Sequence, residues 1–169
     1  MTFKRAILAI IILMAALSRL LPHPPNFTPI MAMGLLGGVY FKNKQFAVIV
    51  PLLAMLVSDL VLGFHGTLIW VYSSIVVISL SASFLKPKMM NLGLASVGSS
   101  LFFFTVTNFA VWMTSAFYPK TLTGLGACYV AGLPFLQNAV VGDLVYVGIL
   151  FGAFELAKRS IPQLSVDAA

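Results

Sequence analysis

The sequence predicts an all-α polytopic membrane protein, a bundle of six transmembrane helices in a single domain of residues 1–169. Of the 169 residues, 60% are hydrophobic and only 8% are charged, and the mean hydropathy is +1.04. A soluble domain carries about 25% charged residues. Because a helical span needs roughly 20 apolar residues, six spans with short loops use nearly the whole length. No region is left for a soluble domain.

The expected helices are the apolar runs between charged or proline-containing segments. They cover about residues 6–21, 28–41, 46–64, 68–85, 92–117 and 134–157. The first run ends at Leu21–Asn26, because proline lacks an N–H donor and disfavours helical backbone in the residue before it. The second run is short for a span, and its Gly34 and Gly38 allow close contact between helices. The connection Thr121–Gly132 is expected to be the longest loop.

The first run also has the layout of a signal peptide. It follows the basic pair Lys4-Arg5, is apolar, and carries the small residues Ala16 and Ser18 near a candidate cleavage point. A retained first helix is favoured, because Arg19 directly after a cleavage point would be unusual.

The basic residues indicate the orientation of the helices, because loops on the cytoplasmic side carry an excess of Lys and Arg. With a cytoplasmic N-terminus and six alternating spans, most basic residues fall inside: Lys4, Arg5, Lys42, Lys44, Lys86, Lys88, Lys158 and Arg159. Only Arg19 and Lys120 fall outside. The sequence therefore predicts that both termini are cytoplasmic.

The fifth run contains polar residues at helical spacing. Thr105, Asn108 and Trp112 follow one another at i, i+3 and i+7, so one helix face presents a hydroxyl, an amide and an indole N–H. Polar groups are costly in hydrocarbon unless they face protein or water. This face is therefore predicted to form the wall of a site in the outer half of the bundle.

Three ionisable residues fall in the same outer half. Arg19 ends the first helix, Asp59 lies roughly 7 Å below the outer end of the third, and Asp143 lies nearer the midplane in the sixth. Such residues usually face a cavity or a partner. One interpretation is a polar pocket whose carboxylates bind a cationic or hydrogen-bonding ligand. The alternative is an ion pair of Arg19 with either aspartate that only holds the helices together.

The candidate ligand-binding residues are those that orientation places in this outer half. They are Arg19, Asp59, His65, Asn108, Trp112, Tyr118, Asn138 and Asp143. For the aromatic members Trp112 and Tyr118 there is a competing interpretation, since aromatic side chains also collect at membrane interfaces. Glycines in the Tyr118–Leu133 segment suggest a mobile lid over the pocket.

Several other classes of function are not expected. The net charge of +6 comes from basic pairs at the ends of apolar runs, which sets topology and does not indicate nucleic-acid binding. No histidine pair has metal-ligand spacing, so neither a metal nor a cofactor is predicted. The two membrane carboxylates lie on different helices with no catalytic spacing, so an enzyme is not expected.

Four strings carry a resemblance to a known family: NFTPI, SDLVLGFHG, TNFAVW and YPKTLTGLGACYVAGLPFLQNAVVGDLVY. Over residues 26–146 the chain resembles a family of small, uncharacterised bacterial membrane proteins. That family is distantly similar to the substrate-binding S components of energy-coupling-factor (ECF) vitamin transporters. The resemblance implies six helices in the bacterial inner membrane and a ligand under the segments Leu21–Thr28, His65–Thr67 and Tyr118–Leu133. It also implies an ATPase coupling module, but the first helix lacks the AxxxA pattern that docks such a partner.

Two functions from different classes follow. The first is binding and uptake of a small molecule, such as a vitamin or related nutrient, through an outward-facing pocket. The second is a membrane scaffold or assembly partner that transports nothing and whose polar cluster is structural.

Overall fold

A computed structural model describes residues 3–64, 66–161 and 164 of the chain. This part of the chain is all-helical, as predicted, and contains no strand. The six helices are α1 (Phe3–Leu17), α2 (Ile30–Tyr40), α3 (Lys44–Leu62), α4 (Leu68–Ala82), α5 (Met89–Thr114) and α6 (Leu122–Ser160), with a single 3-10 turn at Ser18–Leu20. Within the described residues, α3, α5 and α6 are long and apolar enough to cross a membrane, while α2 and α4 are shorter apolar helices.

The short helix α2 lies at the centre of the bundle. It contacts each of the other five helices, and every residue from Ile30 to Gly38 is buried. Its sequence, IMAMGLLGGVY, is apolar all round, which is the pattern of a helix enclosed by protein on every side. The bundle is therefore organised around α2, which has no polar face to leave exposed.

The glycines of α2 allow this close packing. A Cβ atom at Gly37 would lie 2.8 Å from the Ala47 carbonyl oxygen of α3. A Cβ atom at Gly38 would overlap the Ser79 carbonyl oxygen and the Ala82 side chain of α4. The sequence predicted close packing at Gly34 and Gly38, and a Cβ atom at Gly34 would also lie close to α4, 3.2 Å from Ser79 Oγ.

A Gly38→Ala variant is expected to unfold at a lower temperature than the wild type. Alanine normally favours a helix over glycine by about 0.5–1 kcal/mol, but at this position it must push α4 away, and such overpacking costs about 1–3 kcal/mol. Gly98→Ala in α5 is the matched control, since nothing lies within 4 Å of its added Cβ. Thermal unfolding of the two detergent-purified variants measures the difference. Equal melting temperatures would contradict the close contact between α2 and α4.

The prediction that Thr121–Gly132 is a loop is wrong, because this segment forms the cap and the first turns of α6. The Thr121 side chain caps the helix by accepting a hydrogen bond from the Gly124 N–H at 3.1 Å. Gly124 packs against Pro119, and Pro134, which was expected to begin the helix, lies inside it. The loop before α6 therefore covers only residues 115–121. With 39 residues, α6 is about 58 Å long.

Contacts bring the basic residues to one end of the bundle, here called the basic end. The Arg5 guanidinium lies 5.1 Å from the Phe46 ring centre, and the Lys44 ammonium lies 4.8 Å from that of Phe84. There, too, Tyr40 of α2 donates a 2.5 Å hydrogen bond to Glu155 of α6. The opposite end, here called the pocket end, is formed by residues 18–29, 66–67 and 115–121.

Candidate functional site

A cavity of about 530 Å³ opens at the pocket end. Its volume lies within the range of small-molecule sites, about 300–1,000 Å³. The polar residues of its lining are Arg19, His23, Asn26, Thr28, Thr67, Thr107, Asn108 and Tyr118. The larger apolar residues of its lining are Ile30, Val71, Phe103, Val111 and Phe135. An apolar wall with a few polar groups is the usual composition of a ligand pocket.

The α5 wall of the cavity is formed by Phe103, Thr107, Asn108 and Val111. The first, second and fourth of these recur every four residues and so share a helix face. This face is rotated from the predicted one, since the Thr105 side chain is exposed and donates locally to the Leu101 carbonyl.

Asn108 lies on both the predicted and the observed face of α5. Its amide donates to the Phe104 carbonyl at 2.9 Å, and its side-chain oxygen packs closely on Gly132 of α6. The wall is thus fixed by contact between α5 and α6.

Arg19 lines the cavity and forms an ion pair with Asp59. Its Nη1 atom donates to Asp59 Oδ1 at 2.8 Å and to Ser58 Oγ at 2.5 Å. The other carboxylate oxygen of Asp59 accepts a 2.9 Å hydrogen bond from the Tyr72 hydroxyl of α4. The Arg19 side chain is 10% exposed and that of Asp59 is 1% exposed. Asp59 therefore does not line the cavity; it holds the arginine that does.

Asp143 is buried away from the cavity. Its Oδ2 accepts a 2.6 Å hydrogen bond from Ser100 of α5, and the Met31 backbone N–H lies close to its carboxylate. Met31 lies in the first turn of α2, whose Pro29 cap makes no side-chain hydrogen bond. Asp143 thus lies beside a backbone donor at the amino end of the central helix, where a carboxylate is favoured. Among the described residues no cation pairs with it.

Two further predicted residues fasten loops that enclose the cavity. Trp112 donates from Nε1 to the Pro119 carbonyl at 2.9 Å, which ties the 115–121 loop to α5. Asn138 donates to the Pro25 carbonyl at 3.0 Å, which ties the loop after α1 to α6. Neither lines the cavity. Tyr118, on the first of these loops, does, and His65 lies outside the described residues.

The sequence analysis did not single out five polar lining residues, namely His23, Asn26, Thr28, Thr67 and Thr107. Four of them lie in the loops after α1 and α3, which carry no helical periodicity from which their direction could be predicted. Asn26 adopts a positive φ of 63°, a conformation that asparagine tolerates better than most residues, and so helps turn this loop. The resemblance to transporter S components could have identified the four loop residues, because it implies a ligand under both loops.

The described residues offer no group of three metal-ligating side chains. The chemistry available at the cavity is therefore hydrogen bonding, apolar contact and the charge of Arg19. Cys128 also lines the cavity, and its thiol lies 3.4 Å from the Asn108 carbonyl oxygen.

These features define a class: an all-helical protein with helices able to cross a membrane and a cavity of mixed polarity at one end. A comparison with known protein families identifies the family of the chain. The chain belongs to a family of unknown function, DUF6580, whose sequence profile matches residues 1–164. No curated protein and no solved structure matches the chain.

Proposed function

We propose that this protein binds a small molecule, such as a vitamin or related nutrient, at the outer face of the bacterial cytoplasmic membrane and takes part in its uptake. The observation that carries the proposal is the 530 Å³ cavity of mixed lining at the pocket end, opposite the basic end. In the proposed arrangement six helices cross the membrane, both termini are cytoplasmic, and the cavity opens outward.

The distribution of side chains supports this placement in a membrane. Residues at the basic end fit the cytoplasmic side, where Lys and Arg are enriched. Along α5 and α6, large apolar residues such as Leu94, Val130 and Ile149 are more than half exposed, which suits contact with lipid. The shortness of α2 is compatible with a span, since a helix enclosed by protein need not match the bilayer.

The distant resemblance to vitamin-transporter S components is a second argument for the proposal. That resemblance implies a ligand under the loops after the first, third and fifth helices, and residues of all three segments line the cavity: Asn26, Thr67 and Tyr118 among them. Because α1 lacks the AxxxA docking pattern, we favour a transporter that acts alone over one that uses an ATPase module.

The alternative function is a membrane scaffold that carries no ligand. The observation in its favour is that four of the predicted site residues bond to other groups of the protein and do not line the cavity: Asp59, Trp112, Asn138 and Asp143. In that case the cavity would be a space between helices, filled by water or lipid.

A ligand screen by thermal shift separates the two functions. Water-soluble vitamins and related nutrients are added to detergent-purified protein, and at least one is expected to raise the melting temperature. In Asn108→Leu the cavity wall loses its amide, so the ligand-induced rise should fall by more than half. Thr105→Val is the matched control, because it removes a polar group from the same helix outside the cavity. If no compound stabilises the wild type, or if both variants respond alike, the uptake function is rejected in favour of the scaffold.

A further inference from the structure

The guanidinium of Arg19 uses only one of its three nitrogens for contacts with the protein. Its three hydrogen bonds, to Met55 Sδ, Ser58 Oγ and Asp59 Oδ1, all begin at Nη1. Since Nη1 carries only two hydrogens, three acceptors more than saturate it. The contacts to the protein are thus concentrated on one corner of the planar group.

The opposite edge of the guanidinium, formed by Nε and Nη2, has no protein partner in the described chain. Within those residues, the buried side-chain atoms that lack a hydrogen bond belong to Ser79, Ser96 and Ser115, and not to Arg19. The Nε and Nη2 atoms therefore keep contact with open space, and the space that Arg19 lines is the cavity. Three N–H donors remain available there.

We propose that this free edge of Arg19 binds a carboxylate group of the ligand, a conclusion that deepens the function proposed above and rests on it. The Nε and Nη2 hydrogens are parallel and match the two oxygens of a carboxylate in a bidentate pair. The sequence predicts a cationic or hydrogen-bonding ligand, since it places two aspartates in the pocket. No acidic residue in the described part of the chain lines the cavity, and the charged group that does is the arginine.

Asp59 has a positioning role in this proposal. Together with Ser58 it fixes the Nη1 corner, and Tyr72 in turn fixes Asp59. The flexible arginine is thereby held in one orientation before the ligand arrives, which lowers the entropic cost of binding. Because only one corner is used, the pair with Asp59 leaves the bidentate edge open.

The apolar residues that line the cavity indicate the chemical character of the rest of the ligand. Phe103 and Val111 of α5 and Phe135 of α6 give the cavity apolar and aromatic surface. The expected ligand class is therefore a monocarboxylate with an apolar or aromatic body that occupies part of the 530 Å³.

The test compares acids with their uncharged counterparts. The probes are indole-3-acetate, 4-phenylbutyrate and nicotinate, each with its primary amide and the corresponding amine, and binding to the purified full chain is followed by thermal shift and calorimetry. At least one acid is expected to bind about tenfold or more tightly than its amide, since a hydrogen-bonded ionic pair contributes that much or more.

The key variant is the double substitution Arg19→Gln with Asp59→Asn, which removes both charges together and keeps a neutral hydrogen-bonding pair. It should fold and should bind acid and amide with equal affinity. Arg19→Lys, which retains the charge but not the fork, should lose most of the preference for the acid.

Each other outcome is decisive. If amides or amines bind as well as acids, and Asn108→Leu weakens that binding, the carboxylate inference is overturned and the proposed function stands. The same inference fails if the double variant keeps the acid preference. If no member of the three series binds but a nutrient without a carboxylate stabilises the protein in the screen described above, the inference is overturned and the proposed function stands; if no compound binds in either experiment, both are rejected.

Discussion

An Asp59→Ala variant is expected to lose about 3–5 kcal/mol of its free energy of unfolding, because removal of one partner leaves a buried charge uncompensated. The guanidinium of Arg19 would keep its neighbours Ser58 and Met55 but would face them without a counter-ion. The Tyr72 hydroxyl would also lose its acceptor. Unfolding of the purified protein in a denaturant series, followed by tryptophan fluorescence, measures the loss.

A triple variant is the control for this result. Asp59→Leu combined with Arg19→Met and Tyr72→Phe replaces both charged groups and the Tyr72 hydroxyl by apolar groups, while the Ser58 hydroxyl keeps its bond to the Met55 carbonyl. It should be more stable than Asp59→Ala, since replacing a whole buried pair by hydrophobic residues of similar volume is often neutral or stabilising. If Asp59→Ala were as stable as the wild type, the pair would not be a determinant of the fold.

The second large effect is expected at Asp143. Asp143→Leu should lower the free energy of unfolding by about 1–3 kcal/mol, because it leaves the buried Met31 N–H without its carboxylate neighbour, whereas the Ser100 hydroxyl keeps the Ser96 carbonyl as an acceptor. Asp143→Asn keeps an oxygen at the position and should lose about 1 kcal/mol or less. The same unfolding assay compares them. A deficit of equal size in both variants would show that charge, and not hydrogen bonding, is what the site requires.

The class of fold follows from composition alone, and the structure confirms an all-helical chain. The alternation of apolar runs with Pro24-Pro25, Lys42 and Lys86-Pro87 was sufficient to place the helices to within a few residues, except at α6. There Pro134 was read as a helix start. The helix instead begins after Thr121, because the Thr121 side chain caps it. The glycines in this segment had indicated a loop.

The site could be predicted only in part. Arg19 and Asn108 were found because depth can be counted along a helix, and both line the cavity. The pairing of Arg19 with Asp59 was one of two predicted alternatives, since three ionisable groups in one apolar layer must find partners. The structure contains both the Arg19–Asp59 ion pair and a cavity lined by Arg19, so the two alternatives do not exclude each other.

What could not be predicted was the rotation of α5 and the course of the loops. The direction of the Thr107 face is set by the contact of Asn108 with Gly132, which is a tertiary interaction. The loop that carries His23 and Asn26 is held by Asn138, 113 positions away along the chain from Pro25. Neither contact leaves a trace in local sequence.

The shortness of α2 explains why there is a cavity at all. With 11 residues, this central helix occupies about 16 Å of the bundle axis, whereas α5 beside it runs for about 39 Å. Its first residue, Ile30, lines the cavity floor, and above it the surrounding helices enclose a length of axis that no helix fills. The cavity thus lies in line with the axis of α2, and its depth depends on the position of Pro29, after which α2 begins.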